Sequence, residues 1–499
     1  VDRVSPELAA LGRVHLVGVG GAGVSVVARL LAARGVPVQG SDAADGPALA
    51  ALRADGLTVW VGHDAAHVVG PDGAALVDTL VVSSAVRATN PELAAARAAG
   101  ITVLHRSEAL ARLMAGTRAV AVAGAHGKTT TSAMVATVLG AAGLDASYAI
   151  GGTVRVRDGE QVVALPGGHA GTADVLVAEA DESDGSFLNY APTVAVVTNV
   201  EADHLDHYGT QEAFEQAFAD FAGRIVPGGH LVACADDPGS ARLAQRHRAA
   251  GGSVVTYGTA PGADVVVRDV EVGPGTVRAV VAGGPLGDDE HVLALELPGR
   301  HNALNATAAV VTAVLLGVGP REAVAGAHEF VGTGRRFEPK GEVGGVRVFD
   351  SYDHHPTEVD ALLRAARPAA GEGRLLVLFQ PHLYSRTRAF ADRFADALAL
   401  ADEVVVTGVY RAREDVDPTV DARTITDRRE RTGTGGLLRP VEDRLEAAHL
   451  VAALAQPGDV LITVGAGDVT ELGPVVLADL ATRFGVADPA ARPPGATMG

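Results

Sequence analysis

The chain has 499 residues, room for about three domains, and its 47% apolar and 20% charged content is that of a globular protein. A net charge of −19 excludes broad nucleic-acid binding, which requires clustered cations, but admits an anionic small molecule at a locally positive site. No apolar run approaches the length of a membrane span, the first residues lack the layout of a signal peptide, and a single cysteine, Cys234, suits a reducing compartment, so a cytoplasmic location is expected.

In chain order, apolar runs alternate with helical patterns, which predicts parallel sheets wound with helices. Arg13–Val19 predicts a first strand, followed by a glycine-rich turn and a helix over Val24–Arg34. Val36–Gly40, Leu57–Val61, Leu80–Ser84 and Ile101–Leu104 continue that unit. A second unit opens at Arg118–Ala123, a strand entering a tight glycine turn and a long helix of small residues, and continues through Asp174–Ala178 and Thr193–Thr198. Asp264–Leu297 alternates as antiparallel strands do and ends at a helix beginning near Asn302. A third unit has strands near Val346–Asp350, Arg374–Phe379, Glu403–Thr407 and Val460–Val464. The expected fold class is α/β with three domains, 1–116, 117–332 and 333–486, and a Pro/Ala/Gly-rich tail over 487–499 that is expected to be disordered.

Two glycine loops carry the first chemical signal. Gly18-Val-Gly-Gly-Ala-Gly23 lies between a strand and a helix, with Asp42 at the end of the next strand, which is the dinucleotide fingerprint in its required context. Taken alone it favours NAD or FAD, but the glycines require only that phosphates approach a helix N-terminus, so any nucleotide diphosphate satisfies them. The second loop, Ala123-Gly-Ala-His-Gly-Lys-Thr-Thr130, offers backbone N–H groups for phosphates, Lys128 for the outer phosphates and the Thr129 hydroxyl for Mg²⁺. Val122 stands where the first glycine of the general phosphate loop belongs. Of the 41 cationic side chains only Lys128 and Lys340 are lysine, so a lysine here marks a place where a planar guanidinium would not serve.

Ala178-Glu-Ala-Asp-Glu-Ser-Asp184 follows a predicted buried strand, and carboxylates at that end of an α/β sheet suit a magnesium nucleotide. In Thr198-Asn-Val-Glu-Ala-Asp-His-Leu-Asp-His-Tyr208, the residues Asp203, His204, Asp206 and His207 admit either a metal role or hydrogen-bonded surface histidines. His354-His355 at the mouth of a predicted helix reads first as capping and packing. A nicotinamide oxidoreductase and a nucleotide-binding regulator both remain compatible with the loops taken singly.

Together and in this order, GVGGAGVS, AGAHGKTTT, AEADESDGSFL, TNVEADHLDHYGT, GRHNALNA, GTGRRFE, SYDHHPTE, FQPHLYSRT and PGDVLITVGAGD resemble the Mur ligase family, closest to the member that joins L-alanine to UDP-N-acetylmuramate. The resemblance implies an N-terminal Rossmann-like UDP-binding domain, a central P-loop ATPase domain and a C-terminal Rossmann-like amino-acid domain. It implies ATP and Mg²⁺ as cofactors, an acyl-phosphate intermediate, no nucleic-acid partner, no membrane insertion, and a monomer or weak homodimer.

By the resemblance, Gly18, Gly20, Gly21, Gly23, Ser25, Asp42 and Ser84 face the UDP-sugar. Gly124, His126, Gly127, Lys128, Thr129, Thr130, Asn302, Arg336 and Asp350 face ATP, and Thr129, Glu179 and His204 face the metal. Tyr352, His354 and Arg386 face the amino acid, and Lys128, Glu179, His204, His354 and Arg386 are the expected catalytic set. The chain departs from the commoner family pattern at Ala125, Gly185, Ser351, Asp353 and Leu383. Leu383 removes one carboxylate-binding cation, and Asp353 adds a negative charge beside the expected alanine site. The modified lysine that bridges metals in several sibling ligases has no candidate here.

Overall fold

A computed structural model describes residues 5–201, 203, 205–412, 414–429 and 437–486. They form two compact units. The first comprises the chain up to Asp269 with Ala279–Leu293 and Leu304–Val331; the second comprises Val270–Arg278, Ala294–Ala303 and the chain from Gly332 onward.

Two large sheets build the first unit. One has five strands in the order Thr58–Val61, Val38–Asp42, Val14–Val17, Thr79–Val82 and Thr102–His105, and every neighbouring pair is parallel. The chain order reverses between Val14–Val17 and Thr79–Val82, and that switch point opens a crevice beyond the carboxyl ends of both strands. The first glycine loop and Ser84 emerge there. The helix Ala22–Ala33 follows with Gly21 as its cap, burying Val24, Val26, Val27, Leu30 and Leu31 against the sheet.

The opposite face of this sheet buries charge. Glu92, in the first turn of the helix Pro91–Ala98, is fully buried. Its carboxylate accepts from Ser41 Oγ at 2.6 Å and lies 3.3, 3.0 and 2.7 Å from ring nitrogens of His15, His63 and His67. Burial alone would push this carboxyl up, but hydrogen bonds from His15, Ser41 and His67 hold it down at about 2. Trp60 stacks on His67 with centroids 4.4 Å apart, closing the cluster.

The second sheet has ten strands. Its parallel core runs Ser147–Ala149, Val175–Glu179, Arg118–Ala123, Val194–Val197, His230–Cys234 and Ser253–Gly258. Val265–Gly273, Thr276–Ala282 and His291–Leu295 extend it on one side, in the segment where alternation predicts strands. Arg118–Ala123 is flanked by Val175–Glu179 and Val194–Val197, with Glu179 opposite Val122 and Val197 opposite Ala123. Three loops therefore leave the sheet side by side: the phosphate loop, the acidic segment and the segment after Thr198.

The strands Ser147–Ala149, Val154–Asp158, Gln161–Leu165, His230–Cys234 and Ser253–Gly258 are additions to the sequence reading. They are short, and periodicity alone does not separate a brief apolar run from buried helix.

The second unit holds a six-stranded sheet in the order Glu338–Val343, Val346–Ser351, Val460–Val464, Leu375–Phe379, Glu403–Val406 and Leu437–Pro440. Only the first pair is antiparallel. Its central strands Val460–Val464, Leu375–Phe379 and Glu403–Val406 are buried on both sides, between a layer built on Val359, Leu362, Leu363, Phe394 and Leu398 and one built on Val451, Leu472, Val476 and Leu480. No helix among the described residues is long and apolar enough to cross a membrane. The 487–499 tail lies outside the described residues.

Candidate active site

The phosphate loop joins Arg118–Ala123 to the helix Lys128–Ala141. Gly124 has φ +139°, and a Cβ there would lie 2.1 Å from Thr198 Oγ1, so neither the backbone nor the packing admits a side chain. Gly127 caps the helix at φ +80°, and a Cβ there would press on Asn305 Oδ1 at 3.0 Å. Asn199 and Thr198 brace the loop: Asn199 Oδ1 accepts from the His126 amide at 3.0 Å, and Thr198 Oγ1 donates to His126 O at 2.6 Å. His126 Nε2 sits 3.3 Å from Glu201. Thr130 is buried at the first turn of the helix, and Thr129 precedes it beside Glu179.

The Lys128 ammonium is held by three acceptors of the chain itself. Nζ donates to Gly124 O at 2.6 Å, to Ala125 O at 3.3 Å and to Glu182 Oε1 at 2.8 Å. The nearby carboxylates of Glu182 and Asp181 keep the ammonium charged against its burial. Burial pushes Glu182 up to about 7, in spite of Lys128. A carboxyl whose folded value lies above its ordinary 4.5 stabilises the fold fully below that ordinary value and loses the contribution as pH rises through about 7. The expected result is a melting temperature for the ligand-free protein that falls between pH 5 and 8, with a smaller fall in Glu182→Gln; parallel melting curves for the two proteins would contradict it.

Glu179 ends the adjacent strand. Its Oε1 is buried and has no hydrogen-bond partner among the described residues, and burial pushes the carboxyl up, opposed by the Gly151 backbone, the Thr129 hydroxyl and Lys128. A buried, partner-poor carboxylate oxygen beside a threonine hydroxyl is a hard-oxygen donor set of the kind a magnesium ion takes. His204 lies outside the described residues.

The first glycine loop is equally specific. Gly18 has φ +73°. Asp42 Oδ2 accepts from the Gly20 amide at 2.8 Å, so this carboxylate shapes the loop. Gly21 N donates to Gly18 O at 3.0 Å, and Ser25 Oγ donates to Ala22 O at 3.0 Å. Ser84 donates to Asp184 and lies 3.2 Å from His105 Nε2. Arg106 donates to Asp181 at 2.9 Å. The acidic segment thus reaches both loops: Asp181 and Asp184 toward the first, Glu179 and Glu182 toward the second.

In the second unit, Asp350 is fully buried and accepts from Thr463 Oγ1 at 2.7 Å, Thr470 Oγ1 at 2.8 Å and Arg335 Nε at 3.3 Å. Arg336 donates to Asp353 at 3.0 Å and Glu358 at 3.3 Å, so the extra negative charge of Asp353 is paired. Burial nevertheless pushes Asp353 up to about 6. Tyr352 packs under both guanidiniums, 4.8 Å from that of Arg335 and 5.5 Å from that of Arg336. Asn302 donates to Pro298 O at 2.8 Å.

His355 caps the helix Pro356–Ala370 reciprocally with Glu358, the capping role expected at that helix mouth. His354 stands beside it, held down at about 3 by burial and by Arg386 and His382, so it is a neutral imidazole at neutral pH. Its ring meets that of His382 at 5.6 Å, and Arg386 Nη1 is 3.2 Å from His382 Nδ1. His354, His382 and Arg386 therefore form one cluster. Leu383 adopts φ +70° and is buried, and its carbonyl accepts from Thr387 Oγ1 at 2.7 Å.

Three family models match consecutive stretches: the Mur ligase family catalytic domain over residues 13–118, the Mur ligase middle domain over 122–313, and the Mur ligase glutamate ligase domain over 335–467. The chain is 58% identical over 476 residues to the UDP-N-acetylmuramate–L-alanine ligase of Kineococcus radiotolerans, covering 95% of this chain and 98% of that protein. The chain belongs to the Mur ligase family.

This Mur ligase is also 52% identical to the enzyme of the same name from Thermobifida fusca, over 94% of this chain and 97% of that protein. Among solved structures, the UDP-N-acetylmuramate–alanine ligase of Thermotoga maritima matches it with a TM-score of 0.74 at 29% identity, over 94% of this chain and 99% of that one. A murein peptide ligase of Psychrobacter arcticus shares the fold, with a TM-score of 0.67 at 24% identity over 94% and 98%. The fold is the three-domain Mur ligase fold, its parallel sheets as the motif order predicts.

Two contacts beside these loops involve residues that the sequence reading does not single out. Glu182 stands inside the acidic run but carried no role there, and Arg106 sits in no motif at all. The sequence signal for Glu182 is its place among four carboxylates at the end of a predicted strand; for Arg106 there is none short of the contact itself.

Proposed function

We infer that this Mur ligase joins L-alanine to the carboxylate of UDP-N-acetylmuramate, with ATP cleaved to ADP and phosphate. The observation that carries the reading is the phosphate loop with Lys128 on one strand and the buried Glu179 at the end of its neighbour. The relatives named above support the choice of substrates.

A free carboxylate is a poor acyl donor, so the muramate oxygen first attacks the γ-phosphate to give an acyl phosphate. The alanine amine then attacks the acyl carbon, and the tetrahedral intermediate expels phosphate. Positioning and charge neutralisation supply most of the acceleration. Lys128 leaves Glu182 for the outer phosphates, and the loop amides at Gly124, His126 and Gly127 cradle them. Glu179 and Thr129, with His204, would hold Mg²⁺, which neutralises phosphate charge. The first loop, with Ser84, holds the UDP end. Arg386 receives the alanine carboxylate in a charge-assisted pair, and neutral His354 beside it offers a hydrogen-bond acceptor that orients the incoming amine. The three domains carry these roles within 1–116, 117–332 and 333–486.

With UDP-N-acetylmuramate held fixed, phosphate release measured across amino acids should be greatest with L-alanine. No turnover with L-alanine, glycine or L-serine would overturn the assignment. In the same assay Arg386→Ala should raise the KM for L-alanine about 10- to 100-fold with a smaller change in kcat; an unchanged KM would remove Arg386 from the amino-acid site.

A further inference from the structure

Arg106 opens the helix Arg106–Met114, just beyond the carboxyl end of the strand Thr102–His105. Its Nη2 donates to Asp181 Oδ2 at 2.9 Å. Its Nη1 lies 2.9 Å from where a Cβ on Gly23 would sit. Gly23 belongs to the first turn of the helix Ala22–Ala33 and has no positive φ, so the guanidinium, and not the backbone, requires a glycine there. A cation placed over a helix N-terminus opposes the helix dipole, and both the dipole and the free amides of that turn attract an anion. Asp181 fixes one edge of the guanidinium, and the remaining donors of its planar fork are suited to phosphate oxygens.

We propose that Arg106 is the side chain that reads the diphosphate of the UDP-sugar, and that Asp181 positions it beside the first glycine loop. This rests on the reading of that loop as the UDP site.

The test is calorimetric binding of UDP, and separately of ADP, to the full-length protein. Arg106→Gln should weaken UDP about 10- to 100-fold while ADP changes by less than about threefold. Arg106→Lys should recover part of the loss, because it restores charge but not the fork. Gly23→Ala, which displaces Nη1 without altering any charge, should weaken UDP in the same direction. UDP binding at the wild-type level in folded Arg106→Gln and Gly23→Ala proteins would overturn the proposal, as would equal loss of UDP and ADP. A wild-type protein that does not bind UDP would instead remove the underlying reading of the loop.

Discussion

Replacing Lys128 with Ala is expected to lower turnover by about 10³-fold or more, because the loop Ala123–Thr130 contains no other Lys or Arg and losses of this size follow removal of a phosphate-clamping cation. The fold should survive, with a stability penalty that depends on pH. Glu182 would lose its buried partner, and breaking such a pair costs about 3–5 kcal/mol when the remaining charge cannot neutralise. Glu182 can neutralise: its carboxyl already sits at about 7 with Lys128 present, and higher still without it. Melting of Lys128→Ala should therefore be near wild type at pH 6 and clearly lower at pH 8.5. The double variant Lys128→Ala/Glu182→Gln should regain stability at the higher pH and no turnover. Near-normal turnover in the single variant would refute the phosphate role, and a loss of stability independent of pH would refute the pairing.

Glu179→Gln should separate activity from stability in the opposite direction. Burial raises this carboxyl against the Gly151 backbone, the Thr129 hydroxyl and Lys128, and among the described residues Oε1 has no hydrogen-bond partner, so the fold solvates its charge only in part. A neutral isostere should leave stability unchanged or raise it by on the order of 1 kcal/mol. Turnover should nonetheless fall by about 10²–10³-fold, as for loss of one preorganised charge at a reacting phosphate. Thermal melting and steady-state phosphate release on the same preparation decide it. Destabilisation together with retained turnover would show that Glu179 is structural.

Both glycine loops are legible in the sequence because their function is local: a strand, a turn that only glycine permits, and a helix whose first amides face outward. The acidic segment is legible for the same reason, as Glu179 ends a strand next to the phosphate loop. Pairings at a distance are not. Lys128 meets Glu182 across 54 positions, and Arg106 meets Asp181 across 75. Nothing in either local pattern says that the carboxylate would be the lysine's resting partner. Asp42 shows a related limit: its position marks the dinucleotide fingerprint, yet its side chain closes the loop on Gly20. Asp353 reads as an added negative charge until its pairing with Arg336 is seen.

The buried carboxylate behind the first sheet has a consequence for how mutations accumulate there. Glu92 is approached by three imidazoles and a hydroxyl, from His15, His63, His67 and Ser41. Loss of one of the part-exposed histidines, His63 or His67, leaves the acid solvated by the remaining partners, so these two positions should each be tolerant. Loss of the acid strips several buried donors of their common acceptor at once, an expensive change by comparison. A substitution should therefore cost little at the part-exposed rim of the cluster, His63 and His67, and much at its hub, Glu92.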